Sequence, residues 1–250
     1  MMKKIMMIVK KDLRETLRTK AFYVSIAMVL FFMVMLGGAV RGQINTLVEK
    51  GLSPAAITSA AQPLMGTTVF MLSLMLMMLF CMYINAYTLT MEKVKRSLES
   101  LLCTPLSLRQ ICLGKSLAVF LPSVILGLLF AFGAIAGINQ FFIAPKIGQF
   151  VMPGAAPLVA TLVAVPLIVF FLVTLMIALQ LIITNIRWIH AALMGLIFGV
   201  GFGLSPVLRF GSASWSIVFI SLGVAAVLAL VTIYLSRLVT KERIVLSSKG

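Results

Sequence analysis

Long apolar stretches occupy most of the chain, and polar residues are gathered in the segments between them. The stretches fall at about 21–40, 64–90, 116–138, 158–184, 189–208 and 215–235. A hydrocarbon core about 30 Å thick requires about 20 helical residues to cross, because lipid offers no partner to an unpaired backbone group. All six runs reach that length. The pattern predicts an all-α integral membrane protein with about six transmembrane helices. The fifth run is rich in glycine and ends at Ser205-Pro206, which fits either a full crossing or a partly re-entrant course. No soluble domain is inserted. The connections on one side, 41–63, 139–157 and 209–214, are each about 20 residues or shorter.

Ahead of the first run, Ile5, Val9, Leu13 and Leu17 recur at i+4, joined by Ile8, while Lys10, Lys11, Arg14 and Arg18 take the other side. That periodicity predicts an amphipathic helix lying in the membrane interface over residues 1–20. The six-span domain then covers 21–240, interrupted by a loop at 91–115, and 241–250 form a short tail.

Composition agrees with the pattern. Apolar residues make up 62% of 250, and the mean hydropathy is +1.15. Soluble domains hold about 45–50% apolar residues, so lipid is needed as a second solvent. Charge fixes the expected orientation. There are 21 Lys and Arg against 6 Asp and Glu, a net charge of +15. The basic residues sit between apolar runs rather than on a soluble face, which excludes a nucleic-acid surface. With both termini in the cytoplasm, seventeen Lys and Arg fall inside and four outside, as the positive-inside rule requires. A multi-pass protein of the cell membrane is expected. The segment after the first charges is too long for a signal peptide's apolar region, and Cys81, Cys103 and Cys112 follow no disulfide or zinc spacing.

Chemistry inside the spans is sparse. Asp12, Glu15, Glu49, Glu92, Glu99 and Glu242 are the only acids, and all lie outside the six runs. Ion-coupled pumps normally bury carboxylates, so transport here would need energy from elsewhere. His190 is the single histidine and sits at a membrane edge beside Arg187 and Trp188. No catalytic residue, bound cofactor or metal site is expected. Gly114-Lys115-Ser116 imitates the end of a phosphate-binding loop, but Arg109 stands where that motif needs glycine. The polar side chains in the spans are Asn85, Thr174 and Gln180, which either line a path for cargo or bridge helices. Gly133 and Gly137, and Gly195, Gly199 and Gly203, repeat at four-residue steps that let helices pack closely. Pro122 and Pro166 interrupt two runs and free backbone carbonyls. Seventeen methionines, clustered at 71–82, provide an adaptable apolar surface.

The loop at 91–115 is the longest internal cytoplasmic segment. Leu98, Leu101 and Leu102 form an i, i+3, i+4 stripe, and Glu92, Lys95 and Glu99 lie on another face. Pro105 stops the helix. The leucines must be covered either by the lipid interface or by a groove on a cytoplasmic protein.

Glu92, Leu98-Glu99-x-Leu101-Leu102-x-Thr104-Pro105-Leu106-Ser107, Ile111 and Gly114-Lys115 together resemble the signature of type-2 ABC-exporter permeases, in appearance the sodium-extrusion and multidrug-like subgroup. Val94, Lys95, Arg96 and Ser97 stand where that family carries an acid, arginine, glycine and threonine. The resemblance implies a permease subunit without its own ATPase site, paired with an identical or related second permease. Two separate ATP-binding subunits would carry the ATP and magnesium. It makes 91–115 a coupling helix, with Glu92 and Glu99 orienting its ends and Leu98, Leu101 and Leu102 filling a cleft on the ATPase or packing under the spans. The rival readings are an autonomous channel or facilitator, and a membrane scaffold or enzyme.

Overall fold

The structure, a computed structural model, describes residues 6, 9, 10, 14, 15, 17–49, 54–94, 108–182, 195, 199 and 215–238. Among these residues there are helices and turns and no strand. The elements are α1 (Lys20–Glu49), α2 (Pro54–Val94), α3 (Leu108–Ile138), α4 (Ala144–Ile147), α5 (Ala155–Val159), α6 (Val165–Ile182) and α7 (Ser216–Leu238). A π-helical turn, Asn139–Ile143, joins α3 to α4, and a second, Ala160–Ala164, joins α5 to α6.

Five stretches are long and apolar enough to cross a membrane: Phe22–Thr46, Ala56–Asn85, Gln110–Lys146, Ala155–Gln180 and Ser216–Leu235. They correspond to the first four runs of the sequence and the sixth. The run at 189–208 lies outside the described residues apart from Gly195 and Gly199, both helical and exposed.

The expected connections are shorter than their polarity suggests. Residues 41–49 continue α1, and 54–63 already belong to α2. Loss of hydropathy at Arg41 does not end the helix, because Val40 and Ile44 of α1 pack with Ala61 and Met65 of α2 in a buried cluster. Pro54 opens α2, where a missing N–H costs nothing. Likewise 139–147 are helical, and only 148–154 connect onward. The loop expected at 91–115 narrows too. Residues 91–94 extend α2, 108–115 belong to α3, and 95–107 lie outside the described residues. With 41 residues, α2 runs about 60 Å, twice the thickness of a hydrocarbon core.

Burial separates centre from periphery. Of the most apolar window in α2, 67% is buried, against 21% in α1. Leu76, Met77, Met78, Phe80 and Cys81 are all buried, and at 3.6 residues per turn they cover more than half of the helix circumference, leaving Met75 outside, so α2 is the central rod. Among the described side chains of α1, burial follows one stripe, Phe22, Val29, Gly37, Val40 and Ile44, with half-buried Ile26 and Met33. Tyr23, Val24, Phe31, Val34 and Met35 project outward. Thr19 starts α1, its Oγ1 accepting the Phe22 N–H at 3.4 Å.

Specific contacts fix the neighbours. Phe80 stacks on Phe130 with ring centroids 6.1 Å apart. Gly127 of α3 lies against Met77 of α2. Phe120 meets Phe170 edge-on at 5.3 Å, tying α3 to α6. A proline follows each π turn after one intervening residue: Ala144 N–H reaches Asn139 O ahead of Pro145, and Val165 N–H reaches Ala160 O ahead of Pro166. Proline cannot donate, and its ring crowds the preceding turn. A locally widened turn accommodates that ring without ending the helix.

The N-terminal segment is described at Met6, Val9, Lys10, Arg14, Glu15 and Leu17, all helical. Val9 is buried, while Lys10, Arg14 and Glu15 are exposed. Leu17, expected on the apolar side with Val9, is exposed as well. The helix breaks at Arg18 and Thr19 before α1 begins.

Candidate functional site

A buried hydroxyl on a helix has an acceptor always within reach, the carbonyl one turn back. Ser123 donates to Val119 O at 2.7 Å, Ser221 to Ile217 O at 2.6 Å and Thr68 to Leu64 O at 2.7 Å. Thr174 does the same, donating to Phe170 O at 2.8 Å. It therefore does not bridge helices through this bond, contrary to one of its two expected roles. Two hydroxyls do bridge helices: Thr232 shares its proton between Leu228 O at 2.7 Å in α7 and Phe171 O at 3.3 Å in α6, and Tyr83 of α2 donates to Met28 Sδ of α1 at 2.8 Å. Nothing in the sequence distinguishes Thr232 from a threonine bonded only to its own helix.

Carboxamides have no such local solution. Asn85 in α2 and Gln180 in α6 are buried, and among the described residues neither their oxygens nor their nitrogens have a hydrogen-bond partner. Helix bridging, expected of them as an alternative, is not what these side chains do among the described residues. Thr161, inside the second π turn, also buries a hydroxyl that has no partner among the described residues. An unsatisfied buried polar group costs about 1–3 kcal/mol, so each of these groups carries a penalty of that order. Asn85 is one helical turn beyond Cys81, which lies beside Ser123 of α3, and this places it within the central packing of α2.

Lys115 departs furthest from expectation. Read as a residue of the aqueous loop, it is 2% exposed. It lies near Cys112, one turn earlier on α3, and its burial follows from α3 starting at Leu108 rather than near residue 116. Cys81 and Cys112 are free thiols. No group of three or more His, Cys, Asp or Glu comes together among the described residues.

At the opposite end of α3, Asn139 organises the connection to α5. Its Nδ2 donates to Ile135 O and to Val151 O, both at 3.2 Å, and its Oδ1 accepts the Val151 N–H at 3.0 Å. Lys146 donates to Asn45 Oδ1, and the Arg41 guanidinium stands 5.6 Å over the Phe142 ring. Sequence reasoning missed this cluster. Its one signal was a polar Asn139-Gln140 pair closing an apolar run.

Four of the expected packing glycines have no close neighbour among the described residues. A Cβ added at Gly133, Gly137, Gly195 or Gly199 would meet no atom within 4 Å, and Gly203 lies outside the described residues. The close approach occurs at Gly127 instead, where an added Cβ would come within 2.4 Å of Met77 Cγ and 3.2 Å of Met77 N. Of the expected coupling residues, Glu92 is in the last turn of α2. Lys95, Leu98, Glu99, Leu101, Leu102 and Pro105 lie outside the described residues, between the end of α2 and the start of α3. His190 is outside them as well.

Neither family models nor curated proteins nor solved structures provide a match to the chain.

Proposed function

We propose that the chain is the membrane-spanning permease subunit of an ATP-driven exporter of the cell membrane. It pairs with a second permease subunit and takes its energy from separate ATP-binding subunits. Both termini are cytoplasmic, as the charge asymmetry requires. The observation that carries the reading is the segment Leu98-Glu99-x-Leu101-Leu102-x-Thr104-Pro105 placed between two long apolar helices.

The packing gives that placement mechanical sense. The segment hangs from α2 and α3, and these two helices are locked together by Gly127 on Met77 and by Phe80 on Phe130. A displacement applied by a partner at 95–107 passes directly into the central rod and its closest neighbour. Close-packed rods transmit force as rigid bodies, so the bundle switches between packings rather than bending gradually. The permease catalyses no covalent step.

Cargo is amphipathic or hydrophobic, a lipid, drug or peptide, because no acidic side chain lies within the spans. Asn85 and Gln180 are the polar points of its path. Their unpartnered amides favour this role over helix bridging. Sodium would need carbonyl and hydroxyl ligands.

The test is co-purification. Replacing Leu101 and Leu102 with Asp places two charges on the face that fills the ATPase cleft. The ATPase is lost from the purified complex, while the permease stays monodisperse in detergent. Co-purification at the wild-type level refutes the coupling role. Flux through liposomes holding this chain without any ATPase would favour a channel or facilitator.

A further inference from the structure

The segment from the first π turn to the start of α5, 139–154, presents apolar side chains outward from a rigid frame. Three of them stand clear of the bundle: Phe141 is 74% exposed, Phe150 57% and Met152 71%. Between the last two, Val151 is buried and packs with Val40, Ile44, Ala61, Met65, Ile138 and Ile143. The alternation out, in, out is held by the Asn139 amide, which bonds both the N–H and the C=O of Val151. Gly148, at φ 73°, turns the chain back after α4, a conformation other residues rarely adopt. Fixed in this way, the side chains cannot collapse onto the core.

Their height relative to the bilayer follows from helix length. The apolar run 116–138 of α3 covers about 34 Å, enough to cross the hydrocarbon, so Asn139 stands at its edge. The amide bonds bring Val151, and with it Phe150 and Met152, to the level of Asn139. Phe141 is half a turn further on. Arg41, over Phe142, and Lys146, on Asn45, mark the same end with two cations, as suits a layer of lipid phosphates. Apolar and aromatic side chains with flanking cations are what the boundary between headgroups and acyl chains accepts.

We propose that 139–154 is an interfacial anchor that buries Phe141, Phe150 and Met152 in the lipid leaflet at this end of the bundle. The anchor sets the depth of α3 and α5 in the bilayer. It requires only that the helices cross a membrane and is independent of any exporter function.

Depth-dependent fluorescence quenching tests it. Trp188 and Trp215 are replaced by Phe, and a single tryptophan is introduced as Phe150→Trp or, separately, Met152→Trp. The full chain is reconstituted into phosphatidylcholine vesicles. The bromines are placed near the headgroup end of the acyl chains in one set and near the chain ends in another. Shallow bromines quench about twofold more than deep ones, as for a group sunk about 5–10 Å into the boundary, and aqueous iodide has little effect. Ile125→Trp, exposed in the middle of α3, serves as the deep reference and reverses that order. Strong iodide quenching at 150 and 152 overturns the proposal by placing the segment in water. Insensitivity to both quenchers overturns it by showing a protein cover, such as a second copy.

Discussion

Gly127→Ala isolates the contact that joins the two central helices. The new Cβ would stand 2.4 Å from Met77 Cγ, 3.2 Å from Met77 N and 3.3 Å from Met77 Cα. The first clash can be relieved only by moving Met77 to another rotamer in a fully buried site. The other two involve backbone, so α2 and α3 must also separate by a few tenths of an ångström. Overpacking of this kind costs about 1–3 kcal/mol. Alanine returns about 1 kcal/mol of helix propensity, so the net loss is about 0–2 kcal/mol. Gly133→Ala on the same helix provides the control. A Cβ there meets nothing within 4 Å, and only the gain of about 1 kcal/mol remains. The difference between the two variants is therefore about 1–3 kcal/mol. Equilibrium unfolding in mixed detergent micelles, or thermal loss of the monodisperse peak, measures both. If Gly127→Ala is as stable as Gly133→Ala, α2 and α3 do not approach at this point, and the rigid coupling of the two rods falls with it.

Other perturbations follow from the same packing. Asn139→Leu strands the buried N–H and C=O of Val151 and destabilises the chain by about 2–4 kcal/mol, with faster protease cleavage at 148–154 as the readout. A variant of wild-type stability would show that the amide does not hold this connection. Asn85→Leu and Gln180→Leu exchange an unsatisfied amide for an apolar group of similar size, so stability in detergent is unchanged or rises by about 1–3 kcal/mol. Transport falls in the same variants if the amides meet cargo; a marked loss of stability would show that they are hydrogen-bonded after all.

How far the fold could be read in advance depended on the kind of force involved. Crossing a bilayer is a one-dimensional requirement of length and apolarity, satisfied by each helix alone, so the runs at 21–40, 64–90, 116–138, 158–184 and 215–235 matched long apolar helices. Where a helix stops is different. Residues 41–49 and 54–63 are polar enough to read as a loop, yet they are helical because Val40, Ile44, Ala61 and Met65 bury one another. Lys115 is buried although it reads as a loop charge, because α3 already runs from Leu108.

The site residues divide along the same line. The leucine stripe at 98, 101 and 102 is a local pattern, visible without neighbours. The role of a glycine is not local: Gly133 and Gly137 have the spacing of a packing face, but the helix that actually approaches does so at Gly127. Asn139 gave almost no signal, because its importance comes from a bond to Val151, twelve residues away. The sequence by itself determined that this chain is helical and built for lipid, because hydrocarbon admits only helices and closed barrels, and unbroken apolar runs of about 20 residues suit a helix and not a barrel strand. Tertiary structure alone decided which faces meet, which amides are stranded and which aromatic side chains remain outside, because those depend on the rotation and register of one helix against another.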